Sequence, residues 1–351
     1  MFEQGVIRPP SEASSLFVRV TRNCPWNRCH ICPAYKGTTF SKRPVEEVKG
    51  DIDRMAEAYY SFAERITSAF LQDADTLILP TDELIDIIEH LKRTFPSIER
   101  VTTYARAKSM KRKSVEAYQR LKEAGLTRIH TGMESGSLKV LKMIRKGITP
   151  EDILTGGMRV VKSGISLSEY VMPGVGGRTL SREHPIETAR ILNEIKPDFI
   201  RVRTFAIHPQ SPMQKMVEEG TFVPMNDDEI VAEIRLLLEH LDEIPSHFRC
   251  GDFSLNLLMQ VDGPLNTQKG AMISEIDRYL AMTKEQKQAY SLVQRSYPGI
   301  RSLDVLQDEK LMEGLRKDIE SLEKKEKDGF NKHIRSLMSN QLPQPQTDCW
   351  V

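Results

Sequence analysis

The sequence predicts an α/β fold: a partial (β/α)6 TIM-like barrel over residues 1–245, followed by a mostly helical C-terminal extension over 246–340. Three observations predict it. Strand-like and helix-like runs alternate six times between residue 16 and about residue 219, the pattern of parallel strands under helical cover. Polar and glycine-rich residues gather just after strands 1, 2, 4 and 5, the ends at which barrel sites assemble, whereas an open doubly wound sheet concentrates its site at one switch point. From Asn226 onward the apolar period is helical.

The first strand, 16–21, is rich in β-branched and aromatic residues and runs into a loop holding Cys24, Cys29 and Cys32. A helix then starts at Pro44, a residue tolerated in a first turn, and runs to about residue 64. The second strand, 66–71, ends in Gln72-Asp-Ala-Asp75, and Thr81 opens a helix over 81–93. Strand 100–104 is followed by a helix over 109–124, with Gly125 where a C-cap belongs. Strand 126–131 runs into Gly132-Met-Glu-Ser-Gly-Ser137, and Pro150 opens a helix that ends near Gly164. Strand 165–172 leads to Pro173-Gly-Val-Gly-Gly177, a helix over 181–195 and the sixth strand, 197–205. In the extension, helices are expected over 227–241, 270–280 and 283–294, a packed segment over 250–263, and a charge-rich helical stretch over 302–339. The tail 341–351 has two prolines and no apolar period, and disorder is expected there.

With 39% apolar and 28% charged residues the chain reads as soluble and globular, and a formal net charge of +1 provides no global field toward nucleic acid or an anionic membrane. The first residues lack a basic stretch followed by an apolar core, and no apolar run approaches the roughly 20 residues that span a bilayer, so a cytoplasmic protein is expected. Five cysteines, three of them within nine residues, do not form a disulfide framework; a tight triplet in such a chain points to a metal or cluster.

The triplet reads Cys24-Pro-Trp-Asn-Arg-Cys29-His-Ile-Cys32, a C-x4-C-x2-C spacing. Three thiolates on a loop meet three irons of a 4Fe–4S cluster and leave the fourth open to another ligand. Structural zinc is the alternative, but it needs four ligands, and His30, lying between Cys29 and Cys32, does not turn inward easily with both. Three cysteines buried for packing are a third reading, which the polar neighbours Asn27, Arg28 and His30 oppose.

This loop, after the first strand of a βα-repeat domain, resembles the radical S-adenosylmethionine (radical SAM) superfamily, with the likeness extending over about residues 14–260. The usual spacing there is C-x3-C-x2-C with an aromatic residue before the last cysteine; here the first gap is one residue longer and Ile31 takes the aromatic position, as in a subgroup with a wider gap and a Trp-Asn stretch. The resemblance implies that S-adenosylmethionine chelates the open iron, that one electron cleaves its C–S bond, and that the resulting 5′-deoxyadenosyl radical takes hydrogen from a substrate. It also implies a one-electron donor such as flavodoxin or ferredoxin.

The other loops acquire candidate roles by the same resemblance. Asp73, Ala74 and above all Asp75 stand where the family meets the methionine ammonium; the bland reading is a strand-to-helix turn. Glu134 and Ser135 resemble a Glu-Ser-Gly-Ser element that meets ribose hydroxyls, or else simply cap a helix. Lys146 or Arg145 stands near the methionine carboxylate unless solvated. Tyr170, Pro173, Gly174 and Gly176 belong to the loop that holds adenine, where glycine lets backbone approach a flat ring. Arg201 and Arg203 alternate on strand 6 and share one face, inside the barrel or outside it, and Tyr104 and Arg106 after strand 3 carry the same ambiguity.

Cys250, a candidate for a catalytic thiol, is weighed against an inert buried one, with Asp252 and Asn256 expected near the substrate. Cys349 is not at a prenylation position. The basic run 106–113 has no interleaved aromatics and reads as a solvated helix start rather than an RNA surface. A small-molecule substrate leads; RNA modification, porphyrinogen oxidation and a zinc-bound structural or regulatory protein are the alternatives.

Overall fold

The computed structural model describes residues 2–297 and 299–342; from residue 343 on, the tail, with Cys349, lies outside the described residues. The strands are β1 (Leu16–Arg19), β2 (Thr21–Arg22), β3 (Ser41–Lys42), β4 (Ser68–Gln72), β5 (Arg100–Ala105), β6 (Leu126–Glu134), β7 (Ser166–Val171), β8 (Phe199–Val202), β9 (His247–Arg249) and β10 (Asp262–Pro264). Eight of them form one sheet in the order β1-β4-β5-β6-β7-β8-β9-β10. All its pairings are parallel except β9–β10. Helices such as Val45–Ala58, Thr81–Thr94, Pro150–Ser163 and Glu183–Ile195 connect successive strands. This is the predicted partial TIM-like barrel, open between β1 and β10.

The sheet is concave. Neighbouring strands lie about 4.8 Å apart, so β5 and β7, separated by β6, would be about 9.6 Å apart in a flat sheet. The rings of Tyr104 on β5 and Tyr170 on β7 nevertheless approach to 6.2 Å between centroids, with His130 of β6 5.8 Å from Tyr104. Arg201 is buried and hydrogen-bonds Ser168 of β7, which settles the sixth strand's face as the interior one.

Several boundaries differ from expectation; the helix expected over 44–64 ends at Ala58, for example, and the stretch 302–339 holds two α-helices. The predicted first strand breaks at Val20: Thr21–Arg22 leave the sheet and pair with Ser41–Lys42, closing the base of the cysteine loop with a two-stranded ribbon. The predicted helix 109–124 is two helices, Ala107–Arg112 and Val115–Ala124, because Ser114 caps the second by accepting from the Ala117 N–H. The sheet also continues past residue 245 through β9 and β10, three-residue strands too short for an alternating pattern to register.

The N-terminal end of the barrel is plugged by Glu12, which is fully buried and meets Ser15, His130 and Arg100. In the extension, helices Glu309–Lys325 and Gly329–Ser339 pack through Met312, Leu315, Ile319, Phe330, Ile334 and Met338 onto Ala289, Leu292 and Val293 of the helix Lys284–Ser296, forming a smaller apolar core. Among the described residues no helix is long and apolar enough to cross a membrane.

Candidate active site

At the C-terminal ends of the strands lies a cavity of about 450 Å³. Cys24, Cys29 and Cys32 line one side; Ala74, Tyr104, Arg106, Gly132, Glu134, Lys146, Tyr170, Met172 and Arg203 come from the strand ends, and Phe253–Leu255, Ile7–Arg8 and Leu342 close it. Loops after β1, β4, β5, β6, β7, β8 and β9 therefore meet at one place although their residues span most of the chain.

Two features hold the cysteine loop. The buried Asp73 carboxylate accepts from the Tyr35 hydroxyl, from Arg19 Nη2 at 3.2 Å and from the Asn23 N–H at 3.3 Å. On the other flank, Trp26 Nε1 donates to the Arg145 carbonyl at 2.7 Å and the His30 N–H donates to the Ile144 carbonyl at 2.9 Å. Burial pushes the Cys29 thiol up to about 11; Lys146 opposes this, and the nearby thiols of Cys32 and Cys24 add to it. Partly exposed thiols whose ionisation is opposed in this way lose their protons when a metal cation stands among them, and three neighbouring thiolates are a donor set that a cluster takes. Among the described residues no three His, Cys, Asp or Glu side chains meet around a single point. A cluster does not ask for that, because each thiolate meets its own iron. The His30 ring lies beside the Met143 carbonyl and Arg145 rather than in the cavity wall.

Opposite the cysteines, Lys146 Nζ donates to Glu134 Oε1 at 2.6 Å, both side chains nearly buried. Glu134 reaches this position with φ +62°, and a Cβ at Gly132 would stand 2.3 Å from Glu134 Oε1, so glycine makes the room for the pair. Tyr170 presents a buried hydroxyl with no partner, and Arg203 reaches over the Phe253 ring at 5.8 Å. Ala74, which stands at a glycine position of the family's turn, is not among the residues with positive φ.

Several sequence candidates lie elsewhere. Asp73 is spent on the cysteine loop. Asp75 is fully buried, accepting from the Arg106 N–H and from Ser109 Oγ at 2.6 Å, and burial raises it to about 6. Neither carboxylate faces the cavity. Ser135 is buried and bonds His184 Nδ1 at 2.8 Å. From residues 170–177, Tyr170 and Met172 line the cavity and the proline and glycines do not: the Pro173 carbonyl accepts from Phe205, the Gly174 N–H donates to Glu233, and Gly176 packs on Leu180. Cys250 is a core thiol, 1% exposed and raised well above its ordinary range by burial, and it does not line this cavity. Asp252 pairs with Arg201 and Arg249, and Asn256 brackets Thr204 and the Cys250 and Val202 carbonyls; their neighbours Phe253, Ser254 and Leu255 form the wall instead.

Sequence reasoning missed His184, Thr188 and Glu233, which join the two loops from behind. His184 Nε2 stands 3.6 Å from Glu233 Oε1, and Thr188 Oγ1 accepts from the Gly136 N–H at 2.9 Å. Nothing local marks them, since each sits on a regular helix far along the chain. The tyrosine of the cysteine loop, Tyr35, could have been found as the one phenol beside the third cysteine.

Residues 18–192 match the radical SAM superfamily. Among curated proteins, the chain is 21% identical over 248 residues to the tRNA uridine(34) acetyltransferase of Methanocaldococcus infernus, covering 60% of this chain and 46% of that protein. It is 26% identical over 197 residues to an uncharacterized methyltransferase of Pyrococcus horikoshii, covering 55% and 39%. The chain thus spans less than half the length of these relatives. Among solved structures, the cobalamin-dependent S-adenosylmethionine radical enzyme OxsB, with aqua-cobalamin and S-adenosylmethionine bound, aligns with a TM-score of 0.53 at 17% identity over 93% of this chain and 58% of its own, a likeness of fold alone. The matched stretch carries both the cysteine loop and the strands β4 to β7 that wall the cavity, and the chain is an enzyme of the radical SAM superfamily, whose members use a 4Fe–4S cluster and S-adenosylmethionine.

Proposed function

We propose that Cys24, Cys29 and Cys32 hold the cluster and that the enzyme cleaves S-adenosylmethionine reductively to begin radical chemistry on a small molecule. The observation that carries this reading is that the three cysteines share one cavity with the Glu134–Lys146 pair at the strand ends. When bound, the cluster and S-adenosylmethionine supply one electron and a cleavable C–S bond, from which hydrogen abstraction follows. The chain's own residues bind and orient. Lys146, held by Glu134, offers an ammonium to a carboxylate, and Glu134 keeps its second oxygen for a hydroxyl. Tyr170 and Arg203 offer a hydroxyl and a guanidinium to the substrate. Phe253, Leu255 and Leu342 exclude water from the reacting space. A cavity of about 450 Å³ shared with the cofactor favours a small substrate.

A second reading, an RNA base, draws on the relatives named as tRNA uridine(34) acetyltransferases. A nucleobase turned out of its strand is small enough for such a cavity.

Anaerobic reconstitution with iron and sulfide, reduction with dithionite and addition of S-adenosylmethionine tests the proposal. The expected result is 5′-deoxyadenosine in the wild type and none in Cys29→Ala, with the variant still folded because most of the core lies elsewhere. Zinc without sulfide in the purified protein, or a reconstituted cluster with no cleavage, would overturn it. Tight tRNA binding that weakens steeply with salt would favour the second reading.

A further inference from the structure

Around the cysteine loop the surface carries an excess of positive charge among the described residues. Residues 23–37 and 138–149, the loop and the turn docked on it, contain no aspartate or glutamate. Nearby Lys111, Lys139 and Lys146 pair with Asp152, Glu183 and Glu134. Arg28, Lys36, Arg106, Lys142 and Arg145 have no carboxylate partner among the described residues, in a chain whose net charge is only +1. Four of them touch the loop directly. Arg28 and Arg106 lie over the Trp26 ring at 5.5 and 5.4 Å, Lys36 Nζ donates to the Asn27 carbonyl at 3.0 Å, and the Arg145 carbonyl accepts from Trp26. Lys142 stands one turn before Arg145 and is exposed.

Resting on the proposed cluster, we infer that this rim is the docking surface of a small acidic one-electron carrier. Unpaired cations around a central tryptophan form a surface complementary to an acidic protein, and such fields steer association. The cysteines are partly exposed within the rim, so a carrier seated there stands next to the electron's destination. One electron leaves the carrier, which is oxidised by one; the iron held by the three thiolates is reduced by one; no bond or proton moves at the loop. RNA fits the surface less well. Strand binding relies on free aromatic faces, and the Trp26 ring is already covered by two guanidinium groups and by Gly147.

The probe is flavodoxin, titrated calorimetrically into reconstituted protein at low and high salt. Reduction of the iron by flavodoxin hydroquinone is followed by stopped flow, and 5′-deoxyadenosine formation with dithionite is measured in parallel. Wild type is expected to bind flavodoxin at low salt and release it at high salt. Arg28→Glu/Lys142→Glu is expected to weaken binding and slow reduction by roughly tenfold or more, with dithionite-driven cleavage within about twofold of wild type. Lys317→Glu/Lys324→Glu, on the remote helix Glu309–Lys325, is expected to change nothing. The assignment is overturned by wild type that does not bind flavodoxin, by binding indifferent to Arg28→Glu/Lys142→Glu, by an equal loss of the dithionite reaction, or by bulk tRNA binding in place of flavodoxin and lost in the same variant. Absence of cleavage in wild type with dithionite would defeat the catalytic reading instead, and flavodoxin binding would still judge the surface.

Discussion

The edge of the Trp26 ring stands against Gly147 so closely that a Cβ there would lie 2.4 Å from Cε2 and Cζ2. Gly147 also has φ +72°, a region that disfavours a side chain. The tryptophan therefore docks the cysteine loop onto the turn that delivers Lys146. Gly147→Ala is expected to cost about 1–3 kcal/mol, from strain plus the displaced ring, and to lower the iron held per chain after reconstitution. Trp26→Phe, which loses the bond to the Arg145 carbonyl and the part of the ring that meets Gly147, should cost about 1–3 kcal/mol. Urea unfolding and iron analysis check both; full iron in Gly147→Ala would show that the loop holds its shape without the docking.

This contact also marks how far the sequence can be read. The six strands, the cysteine loop, Glu134 and Lys146 were legible because each follows a local rule: an apolar run, a spacing, or a position just past a strand end. Gly147 is plain in the sequence, but its partner lies some 120 residues away, and no local pattern couples them. The same holds for Asp75, which looks in sequence like an exposed turn acid. Its carboxylate turns inward because Ser109 and the Arg106 N–H satisfy it there. At Cys250 the polar sequence neighbours Gly251 and Asp252 flank a thiol that follows the short strand β9 into the core. The apolar wall, Phe253 and Leu342, belongs to segments without period, so only tertiary structure assembles it.

Lys146 and Glu134 are a nearly buried pair, and removing one partner leaves the other charge uncompensated. Lys146→Met is expected to weaken S-adenosylmethionine binding by about tenfold or more, as charge-assisted hydrogen bonds carry roughly 1.5–3 kcal/mol. Iron content should stay at the wild-type level, because Lys146 is not a ligand. Equilibrium dialysis with the reconstituted protein measures the affinity. Unchanged affinity would remove Lys146 from the cofactor's surroundings.

Glu12 is the barrel's plug. Burial pushes its carboxyl up, but hydrogen bonds from His130 and Ser15 and the Arg100 charge outweigh it and hold Glu12 down to about 2. His130 is itself lowered by burial, so at neutral pH it donates as a neutral ring and Arg100 supplies the charge. A depressed carboxylate contributes stability that is present above its ordinary value of 4.5 and is lost as pH falls toward 2. Glu12→Gln is expected to cost about 3 kcal/mol at pH 7 and to lose that part of the acid dependence. Thermal unfolding at pH 5 and pH 3 tests it; identical acid slopes in the two proteins would mean that Glu12 is not held ionised.

The pair His184 and Glu233, 3.6 Å apart beneath the two loops, has the opposite pH signature. Burial raises Glu233 to about 8, opposed by the Gly174 N–H, and lowers His184 to about 4, opposed by a hydrogen bond to the Met172 backbone. Both are therefore neutral at pH 7. His184 contributes stability that is lost only as pH falls below its ordinary 6.5 toward 4. For Glu233, between its ordinary 4.5 and about 8 the unfolded chain has released a proton that the folded chain keeps, so stability falls as pH rises. Between pH 6.5 and about 8 only the glutamate changes within this pair, with a limiting slope of about 1.4 kcal/mol per pH unit. Glu169, buried with both carboxylate oxygens unpartnered and raised by burial, adds a slope of the same sign. The informative quantity is therefore wild type minus Glu233→Gln. The glutamine keeps a carbonyl oxygen for the Gly174 N–H and cannot ionise, so it should gain on wild type by about 2 kcal/mol from pH 6.5 to 8. Urea unfolding at those two pH values measures it. A constant difference would mean that Glu233 is ionised in the folded protein and that its charge, rather than its hydrogen bond, holds the Gly174 loop.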